Sequence, residues 1–363
     1  MHVPTGVLRA ELALGDEGRK MDHTLQRTSV RYGLLRVGDQ VAAFSATQKE
    51  GLMDTIKLPK GGTIRLFEAP PKGFKPTEAE ERELALYGLA PRPTWNERLM
   101  KRWQAKYQKK LNFMRPAFRR MDYKRHRLPG KAGSKVVHGV ETSNIWSGAV
   151  VHAPQGKQMK WVESEWTVPN AFPPPGAIPG VWYSASTWIG IDGDGSPDVL
   201  QAGCDSDVMN FIFGTMRQLN PWWEWFPEGT FWISNFPVSQ GDTMSCLICG
   251  DAGSNTSARI YLMNDTNGAH ASFAVTAPSG TTLEGNCAEW IVESLEIDTS
   301  VPELASYGAM YFDACNSGTT DNTFLNAGNA NTMNMLDSNG NVISEGVIEN
   351  QTLVRCTYEG PLP

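Results

Sequence analysis

The run VWYSASTWIGI (residues 181–191) carries aromatic, β-branched and small residues in short alternation and ends in the turn-forming cluster DGDGSPD (192–198). That combination reads as a strand bounded by a loop. Successive side chains of a strand point to opposite faces, so Trp188, Gly190 and Asp192 share one face and Ile189 and Ile191 the other. The same texture recurs from Ser143 onward, in WSGAVV (146–151), MKWVESEWTVP (159–169), GTFWISNFPV (229–238), ARIYLMN (258–264), ASFAVT (271–276), AEWIVES (288–294) and GAMYFDA (308–314). Clusters of Gly, Pro, Asn and Asp separate these runs, and long helical patterns are absent. The expectation is an all-β sandwich or barrel.

Two further runs repeat the facing pattern. In PWWEWFPE (221–228), Trp222, Glu224 and Phe226 share a face; in AEWIVE, Glu289, Ile291 and Glu293 lie opposite Trp290 and Val292. Each strand sends apolar bulk one way and a carboxylate, often with a Trp, the other. If the polar faces meet, they line one groove with Trp walls. Solvated outer faces are the bland alternative. Within this set, Gln201 and Glu289 stand out. A carboxylate facing an amide is a minimal machine for peptide hydrolysis: the acid moves a proton to and from water, and the amide donates to an oxyanion.

Other chemistries lack their parts. Residues 141–363 hold only His152 and His270 and no G-x-S-x-G, against a Ser–His–Asp site. No H-E-x-x-H and no pair of D-T/S-G loops occurs. The DGDG at Asp192 starts like a calcium loop, but its twelfth position is Gly203 rather than Glu. Cys246 and Cys249 form a C-x-x-C without a second pair, so no metal and no cofactor is expected. All six cysteines lie after residue 141, an even number compatible with disulfides and an oxidising compartment, with buried thiols as the alternative.

Charge divides the chain. Residues 1–140 hold 28 Lys and Arg against 14 Asp and Glu, a net of +14; residues 141–363 hold 5 against 25, a net of −20. The basic half is expected to face the acidic half of its own chain. Within it, Thr77 with Glu80 and Thr94 with Glu97 predict capping boxes. Leu99, Trp103, Tyr107 and Leu111 recur every four residues and predict an apolar face on a basic helix that packs on the neighbouring domain. Residues 115–135 read as an exposed linker open to cleavage. Residues 1–140 are therefore expected to form a mixed α/β pro-segment, an intramolecular inhibitor whose helix around Trp103 covers the groove until Asp and Glu are protonated. No 18-residue apolar stretch exists, so no membrane span is expected. The N-terminus carries no visible export signal.

In order and spacing, a set of motifs from Ser143 to Glu359 resembles the glutamic peptidases, or eqolisins (peptidase family G1). They are N-x-W-S-G-A-V-V, W-T-V-P (166–169), W-I-G-I-D-G-D (188–194), L-Q-A-G-C-D (200–205), W-W-E-W-F-P (222–227), Q-G-D (240–242) and A-E-W-I-V-E (288–293). LALYGLAPRP (84–93) is similar to the pro-region of bacterial relatives. The resemblance implies a sandwich of two bent antiparallel sheets and a secreted, acid-active, monomeric endopeptidase for polypeptide substrates. It places the catalytic pair on Gln201 and Glu289 and groove residues on Trp188, Asp192, Asp205, Trp222 and Glu224. The loop carrying Ser196, Pro197 and Asp198 lacks the family's frequent Cys, so no disulfide pairing carries over. Two other classes stay in view. A Trp-walled groove with several acids also suits a glycoside hydrolase or lectin. Basic residues interleaved with Trp103, Tyr107, Phe113 and Phe118 also suit a nucleic-acid binder, although no nucleic-acid partner is expected.

Overall fold

The computed structural model describes residues 54–121, 140–295 and 304–361. They lie within one compact unit, Glu50–Pro363. The basic segment contributes β1 (Thr55–Lys57), β2 (Thr63–Leu66), α1 (Glu81–Leu86), α2 (Glu97–Tyr107), β3 (Asn112–Met114) and β4 (Phe118–Arg120). The acidic part opens with β5 (Val140–Ser143), β6 (Trp146–His152), β7 (Met159–Thr167), β8 (Trp182–Asp192), β9 (Val199–Phe211) and β10 (Gly214–Phe226). It continues with β11 (Thr230–Ile233), β12 (Thr243–Gly250), β13 (Ser257–Asn264), β14 (Ala269–Thr276), β15 (Cys287–Glu293) and β16 (Ala309–Thr319). After β17 (Phe324–Asn326), it ends with β18 (Asn331–Leu336), β19 (Val342–Asn350) and β20 (Leu353–Tyr358).

The strands form an all-β sandwich from one ladder folded back on itself. One layer runs β11, β10, β9, β8, β15, β6, all antiparallel neighbours. β18 and β19 carry the ladder round to the second layer, β20, β16, β7, β12, β13, β14. Ile189, Ile191, Leu200, Ala202, Trp223, Trp225, Trp290 and Val292 face inward and belong to one core cluster with Val162, Trp166, Ile248, Ile260 and Phe312 of the opposite layer. In β8, β10 and β15 these are the faces that strand alternation assigned to apolar bulk.

The basic segment is woven into this ladder. β2 pairs antiparallel and β3 parallel along the outer edge of β14, and β4 pairs with β11 at the other end. An open edge exposes unpaired N–H and C=O groups, and these short strands cover both. The expected linker, residues 115–135, thus contains a strand at Phe118–Arg120; its remainder, from residue 122 to 135, lies outside the described residues. Both helices start later than their Thr residues suggested. α1 is capped by Glu80, with Glu83 donating nothing and accepting the Glu80 N–H, and α2 by Asn96, whose Oδ1 accepts the Leu99 N–H at 3.1 Å.

Leu99, Trp103 and Tyr107 are buried as the periodicity predicted, and Leu111 is partly so. Trp103 and Tyr107 pack with Tyr261, Leu247 and Cys249 of β12 and β13, not over Trp188 and Trp222, which corrects the expected position of the helix. Trp103 also donates its indole N–H to the Ala90 carbonyl at 2.9 Å, so this face is not free to stack nucleic-acid bases. Ion pairs join the two halves: Arg102 and Lys106 reach Glu165 at 2.9 and 3.3 Å. Burial alone would push the Glu165 carboxyl up, but Lys106 and Arg102 outweigh it and hold it below the usual range.

Charge is not the whole attachment. Leu58, Ile64 and Leu66 are part of the main core, and neither apolar contacts nor ladder hydrogen bonds titrate. A purely electrostatic latch does not describe this interface. Replacing the fully buried Ile64 by Ala should cost about 2–5 kcal/mol in denaturant unfolding, the range for a large buried aliphatic residue. A loss below about 1 kcal/mol would show that β2 is not part of the core.

All six cysteines are free thiols, and all but Cys249 are buried. This corrects the disulfide expectation. Cys246 and Cys249 are three positions apart on β12 and project to opposite faces. Among the described residues, no helix is long and apolar enough to cross a membrane.

Candidate active site

Register decides which side chains meet. Across the first layer, Thr230, Glu224, Gln201, Gly190, Glu289 and Val150 stand directly opposite one another, one on each of β11, β10, β9, β8, β15 and β6. The next row on the same face is Trp232, Trp222, Gly203, Trp188 and Ile291, followed by Asn220, Asp205, Ser186, Glu293 and Trp146. Six of the seven expected residues, Gln201, Glu289, Glu224, Trp222, Trp188 and Asp205, thus lie on one face. Trp146 meets Trp188 edge to face at 5.2 Å, and Trp222 joins them in a small cluster with Ile291.

Gly190 separates the two central residues. Neighbouring strands are about 4.8 Å apart, so the Gln201 and Glu289 backbones stand about 10 Å apart with no side chain between them. A Cβ at 190 would meet Trp188 Cζ3 at 3.0 Å and Gln201 Cβ at 3.4 Å. A side chain at 190 would therefore crowd the Trp188 ring and the Gln201 side chain, and glycine lets both pack over this position.

Gln201 is 5% exposed and donates from Nε2 to Glu224 Oε2 at 3.0 Å. An amide NH2 has two hydrogens, so one remains for another acceptor. Its Oε1 has no hydrogen-bond partner among the described residues. Glu289 is fully buried. Its Oε1 accepts the Asp194 N–H at 2.9 Å and lies 3.4 Å from the Cys287 thiol, while Oε2 has no partner among the described residues. Burial pushes this carboxyl well above its ordinary range, the Asp194 charge adds to the rise, and the two donors oppose it. The loop before β9 presses on the same carboxylate. Gly193 has φ +119°, and a Cβ there would lie 3.0 Å from Glu289 Oε2, so only glycine fits.

The seventh expected residue is placed differently. Asp192 leaves the strand with φ +67°. Its carboxylate accepts the N–H groups of Glu284, Gly285 and Asn286 at 2.8, 3.0 and 2.6 Å, which fastens the segment leading into β15. Burial raises its pKa, with those three donors opposing. It braces the site rather than facing the row, and those bonds also occupy the oxygens a calcium loop would use. Asp205 lies two residues beyond the Trp row and accepts from Ser186 Oγ at 2.6 Å. Trp188 donates its indole N–H to Glu293 Oε2 at 2.9 Å.

Four acids or bases near the row were not singled out by sequence reasoning: Glu141, His152, Asp194 and Asp198. Asp198 accepts the Trp225 indole N–H at 3.1 Å, and burial first, then Asp192 and Glu284, push its pKa up to about 7. The DGDGSPD cluster was legible only as a loop; the depth of its acids follows from how β15 passes beside it.

With this geometry in place, comparison with known proteins is specific. Residues 144–358 match the sequence pattern of the Peptidase A4 family. Aspergillopepsin-2 of Aspergillus niger is 29% identical over 241 residues, spanning 60% of this chain and 78% of that protein. Scytalidopepsin B of Scytalidium lignicola is 28% identical over 223 residues, spanning 59% and 74%. A crystal structure of scytalido-glutamic peptidase with a transition state analog inhibitor aligns at 26% identity and a TM-score of 0.49, over 60% of this chain and 98% of that one.

Proposed function

The chain belongs to the Peptidase A4 family and is a peptidase, and from that premise we propose that it is a secreted, acid-active endopeptidase, made as a zymogen, in which Glu289 is the general base and Gln201 the oxyanion donor. The observation that carries this reading is the single row Glu224, Gln201, Gly190, Glu289. A water held by ionised Glu289 attacks the scissile carbonyl carbon while its proton passes to the carboxylate. The carbonyl oxygen becomes an oxyanion and accepts the second Nε2 hydrogen of Gln201, whose first is held by Glu224. The C–N bond then breaks, and Glu289 returns the proton to the leaving amine. Gln suits this role because it donates without titrating.

The closed state of the site accords with a zymogen. Gln201, Glu224 and Glu289 are 5, 3 and 0% exposed, which leaves no path for a polypeptide. In this state the raised pKa of Glu289 keeps it protonated in acid, where it cannot serve as base. Opening the site returns water to the carboxyl, lowers its pKa and creates the base. The basic segment in residues 1–140 is the proposed restraint, acting through its pairing with β11 and β14 rather than through its helix, which packs on β12 and β13.

The test is to hold the purified full-length chain at about pH 3–4, where carboxyl groups titrate, in 18O-labelled water with a denatured protein. Mass spectrometry should find internal cuts with label in the new C-terminal carboxyls, and self-cleavage between residues 121 and 140. Absence of cuts from pH 2 to 7, even after the basic segment is removed by a second protease, would sink the reading. Release of sugars from a polysaccharide instead would favour the glycosidase class.

A further inference from the structure

A cluster of two carboxyls and an imidazole lies beside the row, on residues that no step above uses. Glu141, on β5, is 2% exposed. Its Oε1 accepts from Asn331 Nδ2 at 2.8 Å and lies 3.4 Å from His152 Nε2, on β6. The same imidazole nitrogen lies 3.4 Å from Asp194 Oδ2, and the polar ends of all three residues fall within 4.8 Å of one another. Asp194 is thus gripped twice. The cluster holds its side chain, and its backbone N–H holds Glu289 Oε1 at 2.9 Å. The loop runs close to that carboxylate, where a Cβ at Gly193 would lie 3.0 Å from Oε2, so the Asp194 N–H is the link through which a shift of Asp194 would reach Glu289.

Resting on the peptidase reading above, we propose that Asp194 is the positioning residue for Glu289, that it aims the carboxylate only while its own side chain is protonated, and that Glu141 and His152 tune that protonation in opposite directions. An ionised Asp194 repels ionised Glu289 and favours its protonated form, which is not a base. The groups facing Glu289 are Asp194 and Asp192 from the loop and Cys287 from its own strand. Those facing Asp194 are Glu141, His152 and Glu289.

The electrostatics agree with the geometry. Burial first, then the Glu141 charge, push the Asp194 pKa up to about 6, while protonated His152 pulls it down. The hydrogen bond to Glu141 raises the His152 pKa against the effect of burial. Burial acts to raise Glu141, but its hydrogen bonds to His152 and Asn331 outweigh this and hold it below the usual range. In acid the cluster is therefore a protonated Asp194, a carboxylate and an imidazolium. A raised His pKa stabilises the fold below the unfolded value and is lost as pH rises through the folded one. A raised Asp pKa costs stability progressively as pH rises from the unfolded value, about 4, to the folded one, about 6. Both effects favour the cluster in acid and weaken it as pH rises, Asp194 between about 4 and about 6 and His152 through its raised value, and on the proposed reading this sets the upper limit to activity.

The test uses the full-length chain after incubation in acid, with kcat/KM on a peptide measured against pH. Glu141→Gln removes the charge that raises Asp194, so the upper limb should move down by about half a unit to a unit. His152→Ala removes the cation that lowers it, so the limb should move up by a similar amount. Asp194→Asn keeps the backbone N–H but cannot ionise, and its upper limb should lose the Asp194 titration. Independently of turnover, NMR titration of the His152 ring should give a lower pKa in Asp194→Asn than in the parent. With an active parent, limbs that all stay within about 0.2 unit, or that move the same way in Glu141→Gln and His152→Ala, overturn the inference, and an unchanged His152 titration does so even where turnover is lost. A parent chain with no peptidase activity instead sinks the function proposed above, and with it this role.

Discussion

Glu289→Gln should abolish peptide hydrolysis at every pH while leaving the chain folded. The substitution is nearly isosteric, and the new Oε1 can still accept the Asp194 N–H that Glu289 accepts at 2.9 Å. What it removes is the ability to take a proton from water. General-base catalysis is worth about 10²–10⁴-fold, and the other carboxylate of the row, Glu224, is engaged by the Gln201 amide, so the loss should reach the upper end. Stability provides the control. Burial disfavours the ionised form of Glu289, so the folded state carries a cost at neutral pH that glutamine avoids. Thermal unfolding at pH 7 should therefore show a Tm equal to or above that of the parent. Full activity at pH 4 in this variant would show that the proton acceptor lies elsewhere. A fall in Tm with lost activity would mean that Oε2, which has no partner among the described residues, is instead part of a structural hydrogen bond.

Much of the architecture was legible because a strand repeats every two residues. In β8 and β15 the alternation alone separated Ile189, Ile191, Trp290 and Val292, now in the core, from Gly190 and Glu289 on the other face. Alternation says nothing about register, however. That Gly190 stands between Gln201 and Glu289 depends on how β9, β8 and β15 pair, and no single strand encodes it. The resemblance supplied the pairing of Gln201 with Glu289; the ladder supplies the reason that the two meet over a glycine. Asp192 shows the opposite limit. Period-two reasoning placed it on the site face, but its positive φ turns the chain at the strand end and sends the carboxylate to three backbone amides. In the basic segment, composition suggested a linker where β4 forms, because a three-residue edge strand takes its stability from the β11 edge it covers rather than from its own sequence. His152, Glu141 and Asp194 carried no local signal at all. Glu141 and His152 are 11 residues apart on neighbouring strands, but Asp194 is far from both and meets them only because β5 and β6 pass beside the loop that follows β8.

Gln201→Ala should lower turnover by about a hundred- to a thousandfold, the usual effect of removing one oxyanion donor. The effect should fall on kcat more than on KM, because the oxyanion exists only in the transition state. The geometry adds a second readout. Glu224 holds one Nε2 hydrogen of Gln201 at 3.0 Å and so fixes the orientation of the amide. Glu224→Gln can present an N–H to that amide instead of an oxygen, and an amide flipped to accept it would turn its own oxygen toward the substrate. Glu224→Gln should therefore lose part of the turnover lost in Gln201→Ala, and the double variant should lose no more than Gln201→Ala alone. If the two single losses simply add, Glu224 acts on substrate by a separate route. If Gln201→Ala loses less than about tenfold, the amide is a structural neighbour of Glu224, and the oxyanion is stabilised by another donor.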